Sequence, residues 1–561
     1  MSHRTLDHAL LAGLVLFVGA VAIAPLGRLL AESVAPGGEL DLTVAREVLS
    51  ARSTWRATWN SLVTATWGTV ISLVLGAAFA LLVALTDIRG KRVLVFCFLI
   101  PLMIPPQVTA LSWVQLFGPS SALLNTLGIA PAPGTPNPMY SRGGIITLLG
   151  VQHAPLVFLA LRAGLRAMPR EMVEAARAAG AGRWRVLRDV VLPLMTPPLV
   201  AGTALAFVSA IGNFGIPALL GIPASFTVLP TLIYRRLAGF GPEIISEVAV
   251  LSVLVGVIAF AGVLVQQAVL RRRDYRTLGA PSRPLAFELG RWRPAAEALA
   301  WLVIVLILVL PLGALAATSL VSAYGVPLAA DTLTFDNYVE VMLRQSVTIR
   351  AFVNSFSLAA GAALVLVAIT IPLGYFLVWR RSRLLGVLDA LAELPYALPG
   401  VVLAIACILL FIRPLPLVGV SIYGTVWIIL AAYLARFLTL ALRPVVSGYH
   451  QLDRHLEEAA QVAGARLPTR LVTIITPLIG PIAAAGGILV FMTAFNELTV
   501  SALLWSAGAE TIGVVVFNLD DGGYTVLASA VAMVTVGAIL ALMLAGSWLG
   551  RRLPAGVIPW D

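Results

Sequence analysis

The stretch Arg166–Pro193, RAMPREMVEAARAAGAGRWRVLRDVVLP, decides the fold. It is the densest basic segment between two apolar runs, and a second copy lies 284 positions later. Glu174, Ala175, Ala176, Gly180 and Pro193 in the first copy become Glu458, Ala459, Ala460, Gly464 and Pro477 in the second. Several landmarks at one offset argue against a chance alignment of Ala-rich helices. Each copy reads as a helix, a Gly stop and a second helix. In the first, Pro169 suits an early helical position and Gly180 a left-handed residue after the last turn. In the second, Asp453 is the expected N-cap, Gly464 the stop and Pro468 the start of the next helix. A helix–Gly–helix element repeated on the wet side of a membrane protein is a docking surface in form.

The chain around these copies is apolar. Of its 561 residues 59% are hydrophobic and 12% charged, with mean hydropathy +0.95. A soluble protein of that size needs more polar surface, so the composition predicts an all-α polytopic membrane protein whose first partner is the lipid bilayer. Apolar runs long enough to cross fall near 9–30, 60–85, 93–117, 144–165, 194–221, 244–270, 295–320, 351–379, 384–411, 423–442, 481–504 and 527–549. That makes about twelve transmembrane helices, six on either side of a charged, Pro-containing stretch that marks a boundary. The first half is 1–275 with its loop at 166–193. The linker is 276–294, and the second half is 295–561 with its loop at 450–477. The run Ala9–Gly27 lacks a small-residue cleavage site, and the reading is a retained first span.

The net charge of +11 is mostly arginine in short loops, where it sets topology and forms no nucleic-acid patch. With both termini cytoplasmic, about 28 of the 38 basic residues fall inside, which the positive-inside rule favours. Arg436 to Arg470 are counted among these inside loops. An even number of spans per half makes the halves parallel repeats. Asn60-Ser61 answers Asn354-Ser355, and Pro101 and Pro105 answer Pro395 and Pro399, at an offset of 294. The ten extra residues of the first half are expected in the segment Gly118–Arg142.

The pattern EAA, three residues, Gly, nine residues, then I-x-L-P resembles the cytoplasmic loop of membrane permeases of binding-protein-dependent ABC importers. The copies end VVLP at Pro193 and IITP at Pro477, two mild departures. The resemblance covers both halves, like the fused subunits of ferric-iron and thiamine importers. It implies a type I importer permease fold with two parallel, pseudo-symmetric six-helix repeats in a bacterial inner membrane. It also implies two separate ATPase subunits that carry ATP and Mg, each receiving one loop through Glu174, Ala175, Ala176 and Gly180 or Glu458, Ala459, Ala460 and Gly464. A periplasmic solute-binding protein would deliver the solute. The stretches GNFGIPALLG from Gly212 and FNELTVSALL from Phe495 look most like the ferric-iron group and its polyamine and phosphonate relatives.

This chain has no GxxxxGK[ST] phosphate loop, so ATP hydrolysis is not expected of it, nor any bound cofactor. No nucleophile–base pair and no metal-site spacing is present in the sequence, and Cys97 and Cys407 sit inside apolar runs. Glu497 is read as the one acid clearly within an apolar span, a costly placement that points to a cavity or a partner. With Asn496 beside it and Asn213 in the first half, it is a candidate for the translocation path or gate, or else for an inter-half hydrogen-bond clamp. His153 reads as a satisfied helix residue. Ferric iron is the leading solute; thiamine, a polyamine or an aminoalkylphosphonate is the alternative. An ion-coupled secondary transporter of two six-span halves fits the hydropathy as well, but has no reason to repeat the loop.

Overall fold

The computed structural model describes residues 3–239, 241, 243–270, 287–380, 382–414 and 419–550. Among them, nine helices are long and apolar enough to span a membrane, and three bent pairs bring the total to twelve. Spans 1, 2, 4 and 6 are Leu6–Val34, Arg52–Leu85, Arg142–Ala167 and Ile244–Leu270. Spans 7, 8, 10, 11 and 12 are Gly290–Ser319, Ser346–Trp379, Val426–Gln451, Leu467–Phe495 and Thr525–Trp548. Span 3 is Lys91–Met103 with Pro106–Thr126, bent by 102°, and span 9 is Arg383–Ala397 with Gly400–Phe411, bent by 109°. Span 5 is Arg183–Leu194 with Thr196–Ile211, bent by 62°.

The two sharp bends have one cause. Pro105 and Pro399 each stand immediately before the second arm, where a proline can offer no N–H to the first. In lipid a freed carbonyl must find another donor. In span 3 the Gln152 amide from span 4 donates to the carbonyls of Pro101 at 2.7 Å and Ile104 at 3.1 Å. Span 5 bends where Pro197 and Pro198 follow each other. Span 11 has Pro481 and Ile482 at those places and runs on without a sharp bend.

Within each half, the second span packs along the fourth and the eighth along the tenth, and the fifth and eleventh spans close the bundles. Small residues let backbones approach, as membrane packing requires. A Cβ on Gly76 would lie 2.5 Å from the Ala154 carbonyl oxygen. The Asn-Ser pairs found in the sequence play matched parts. The Asn60 amide donates to the Thr227 carbonyl and Ser61 Oγ accepts from the Leu229 amide. Likewise Asn354 donates to the Glu510 carbonyl and Ser355 accepts from Ile512.

The leading span of each half does not pack on its own bundle alone. Span 1 lies across both arms of span 9, with Val15, Leu16 and Gly19 facing Leu384, Val387 and Leu388. Span 7 lies across span 3, where Thr318 Oγ1 donates to Gln115 Oε1 at 3.2 Å. The halves are thus exchanged at one helix each. An ion pair anchors each exchanged helix at the loop end, with opposite polarity: Asp7 to Arg380 at 3.5 Å, and Arg293 to Asp87 at 3.5 Å. The linker expected at 276–294 lies largely outside the described residues. Its described end turns back on the first half, where the Phe287 amide donates to the Leu85 carbonyl and the Leu289 amide to Asp87.

Candidate functional site: two capped loop helices and the contact between halves

The EAA segments form the helices Arg170–Ala178 and His455–Val462. Pro169 is the N-cap and not a helical residue, one place earlier than its φ preference suggests. Asp453 is not the N-cap, which is Arg454; it stands one place earlier, and its carboxylate accepts the His455 amide at 3.0 Å. The C-termini are two copies of one Schellman motif. The Gly180 amide donates to the Arg177 carbonyl and the Ala181 amide to Ala176. The Gly464 amide donates to Gln461 and the Ala465 amide to Ala460. Both glycines have φ of +82°, and nothing crowds a Cβ built on either, so backbone angle and not space demands glycine. The last Ala of each EAA is therefore the carbonyl that closes the cap.

Each helix turns the same face outward. Glu174, Ala175 and Ala178 are exposed, as are Glu458, Ala459 and Val462. Ala176 and Ala460 are half-buried beneath them. Apolar side chains flank the acid at matched positions, Met172 and Leu456, both exposed. After each loop the chain widens into a π-type turn, Leu187–Val191 and Leu471–Ile475, just before the Pro of the motif. The Leu192 and Thr476 amides reach back five residues, which accommodates the prolines that follow.

The second constellation lies where the halves meet. Spans 5 and 11 end at Ile211 and Phe495, not at 221 and 504. The apolar runs continue past turns that hydropathy does not see, into the short helices Gly215–Gly221 and Ser501–Leu504. Asn213 and Glu497 occupy these turns and hold them in the same way. Asn213 Oδ1 accepts the Ile216 amide at 3.1 Å, and Glu497 Oε2 the Val500 amide at 2.9 Å. One residue earlier, each turn touches the broken span of the opposite half. The Asn496 amide donates to the Met103 carbonyl, and a Cβ on Gly212 would lie 2.6 Å from Pro399. Asn496 is therefore the inter-half clamp, while Glu497 pairs within its own half to Arg436 at 3.9 Å.

Polar atoms without partners gather at this contact: both amide atoms of Gln107, Asn496 Oδ1 and Arg436 Nη1. Gln107 is wholly buried, between Gly215 of one half and Gly513 of the other. Arg436, counted with the inside loops, lies well inside span 10, within the apolar stretch 423–442 itself; the helix runs on from Val426 to Gln451 and takes in Arg443 as well. Glu497 itself, expected inside a span, stands in the turn after span 11, and other acids lie within spans. Asp389 and Glu393 lie on the first arm of span 9 and pair with Arg443 of span 10, at 2.9 and 2.5 Å. A helical pairing between neighbouring spans hides such charges from a one-dimensional scan. His153 Nδ1 donates to the Leu149 carbonyl, 2.8 Å away, as a satisfied helix residue.

A bundle of broken and exchanged spans with two wet, capped loop helices defines a membrane permease built by duplication. The sequence matches the model of the binding-protein-dependent transport system inner membrane component twice, over residues 76–275 and 369–557, and the chain belongs to that family. It is a fused, duplicated ABC importer permease: a transport component and not an enzyme. It is 28% identical over 528 residues to the probable ABC transporter permease protein y4fN of Sinorhizobium fredii, covering 91% of this chain and 90% of that one. It is 26% identical over 511 residues to the ferric transport system permease protein FbpB of Actinobacillus pleuropneumoniae, covering 89% and 72%. The molybdenum transport system permease protein ModB of Escherichia coli is 30% identical over 223 residues, 39% of this chain and 93% of that one.

Proposed function

We propose that this permease forms the solute path of an importer driven by two ATPase subunits, one seated on each capped loop helix. The observation that carries this reading is the matched pair of Schellman-capped helices, each exposing an acid, an alanine and an apolar neighbour at equivalent places. A narrow Ala face admits close approach to a cleft, and Glu174 and Glu458 offer acceptors to donors there. The ATPases bring ATP and Mg; this chain supplies neither. The loops and both termini face the cytoplasm, where the loop arginines favour them. A periplasmic binding protein hands the solute to the opposite face.

Closing of the ATPases carries the two helices together, and the halves rock about the contact of Asn496 with Met103 and of Gly212 with Pro399. The unpartnered groups of Gln107, Asn496 and Arg436 are the polar surface the solute would cross. Asn213 and Glu497 hold the turns that carry this surface. The solute is ferric iron, a reading supported by the likeness to ferric permeases over most of the chain.

The test is co-purification with an ATPase subunit and a periplasmic binding protein from the same organism, followed by uptake of radioactive Fe(III) into proteoliposomes. ATP-dependent uptake that needs the binding protein is expected, and Glu174→Arg or Glu458→Arg should weaken ATPase association without loss of membrane insertion. Uptake that ran on a proton or sodium gradient without nucleotide would sink the proposal; ATP-driven uptake of another solute would sink only the iron.

A further inference from the structure

The two loop helices look alike from the cytoplasm and differ underneath. In the first, Val173 and Val186 are buried at 2% and 0% exposure. At the matching places in the second stand Glu457 and Arg470, equally buried at 4% each. Arg470 Nη1 donates to Glu457 Oε1, which also accepts the Tyr375 hydroxyl at 3.0 Å. Tyr375 belongs to span 8, and Leu81 holds its place in the first half. Its ring packs edge-on against Trp379, which packs in turn on Tyr449, whose hydroxyl donates to the Ile371 carbonyl. The Tyr375 hydroxyl also faces Arg380, and Arg380 pairs with Asp7 of span 1. The series Arg470, Glu457, Tyr375, Arg380, Asp7 thus runs from the second loop through span 8 to the exchanged span 1.

We infer that this buried charge relay fixes the second loop helix to the membrane body as one rigid piece, while the first is held by apolar packing that can slide. The inference rests on the docking reading and assigns the two loops unequal shares in coupling. The physical difference is direction. Apolar contact is nearly indifferent to small displacements, whereas a desolvated carboxylate with two donors has one good geometry and a large penalty for partial loss. Glu457 lies on the helix before the Gly464 turn and Arg470 on the helix after it, so their pair also locks the hairpin. A displacement imposed on that hairpin is passed to span 8 through Tyr375. Span 1 then follows through Asp7, and it lies on the second half. At the matched positions the first loop has Val173, Val186 and Leu81, whose side chains carry no charge or hydroxyl; its Arg183 donates to the Glu288 carbonyl, at 2.5 Å, at the surface.

The test uses spin labels in the full chain with Cys97 and Cys407 replaced by alanine. One pair sits at Gln461→Cys and Arg383→Cys, across the relay; the matched pair sits at Arg177→Cys and Arg89→Cys. All four positions are exposed. The relay pair should give a distance distribution about two-fold narrower than the matched pair. Glu457→Val with Arg470→Val transplants the first-loop chemistry and should widen it to match. Tyr375→Phe, which keeps the ring, should widen it in part. With ATPase and a non-hydrolysable ATP analogue bound, the relay distance should stay fixed in the parent and shift in the double variant. The single variant Arg470→Val leaves a buried carboxylate unpaired and is expected to fold poorly, so the double variant and Tyr375→Phe decide the matter. Equal widths for the two pairs, or no change in either variant, would overturn the inference. Failure of the ATPase to bind the parent would instead sink the docking reading, and the widths in the permease alone would still judge the relay.

Discussion

Gly180 and Gly464 show how far a single residue can be read. The spacing EAA, three, Gly places a left-handed residue after a helix, and both φ angles lie at +82°. Because nothing fills the space of a Cβ, Gly464→Ala should cost only the backbone term, roughly 1–2 kcal/mol for an L-residue held there. Gly464→Val should cost more, since a β-branched residue resists that region. The expected phenotype is a permease that inserts and expresses but hydrolyses ATP with its partners at a reduced, poorly coupled rate. Wild-type coupling in Gly464→Val would show that the cap does not matter.

Asp520 carries no mark in the sequence, because its burial comes from the fold and not from its neighbours in the chain. It stands at the end of the helix Ile512–Asp521, on the face opposite the loops. Burial pushes its carboxyl up to about 6, Asp521 adds to this, and a Thr525 hydrogen bond opposes it. The unfolded chain ionises near the ordinary value of 3.8, so the folded state is favoured while both forms are protonated. That advantage is lost as the pH rises from about 4 through 6. Asp520→Asn should therefore raise the melting temperature at pH 7.5, by the equivalent of at most roughly 3 kcal/mol, and change little at pH 4. Equal shifts at the two pH values would contradict the assignment.

At the scale of elements, the loops and the proline breaks were legible because they are local: a glycine, a cap and a missing N–H act within one turn. The ends of spans 5 and 11 were not, since an apolar run does not reveal a turn whose polar groups are met by Asn213 and Glu497. Arg436 and Arg443 were unreadable for a related reason: their partners lie on other segments, Glu497 after span 11 and Asp389 and Glu393 on span 9. The exchange of spans 1 and 7 was equally hidden, though its determinants stand in the sequence with opposite signs. Asp7 meets Arg380, and Arg293 meets Asp87. If span 1 docked on its own half it would bring Asp7 to Asp87, and span 7 on its own half would bring Arg293 to Arg380. Exposed pairs of this kind are worth about 0–1 kcal/mol each, so their value lies in penalising the wrong partner. Disulfide formation between Leu16→Cys and Val387→Cys reports the correct docking. Asp7→Arg should lower that yield, and adding Arg380→Asp should restore it; a yield indifferent to both changes would remove the ion pair from the account.

Taken whole, the molecule is two bundles that each lack a helix and borrow it from the other. In lipid, helices gain little from merely hiding apolar surface, and association depends on close packing and on polar groups finding partners. A half without its borrowed helix leaves the second arm of its broken span uncovered. In the first half that exposes Gln115, whose Oε1 is satisfied by Thr318 of span 7. The second half would lose span 1 from the groove of Leu384, Val387 and Leu388. The halves are also unequal in polarity: Glu457–Arg470 and Arg436–Glu497 replace Val173–Val186 and Gln152–Asn213 at matched positions. The second half should therefore suffer more when left incomplete, because loosened packing admits lipid to paired charges. Expressed as separate chains split at residue 280, each half alone should be degraded or protease-sensitive, the second half more so. Co-expressed, they should purify together and regain protease resistance, since the exchanged spans hold them without the linker. A first half that purified alone as a stable, resistant bundle would mean that span 7 is not part of its core.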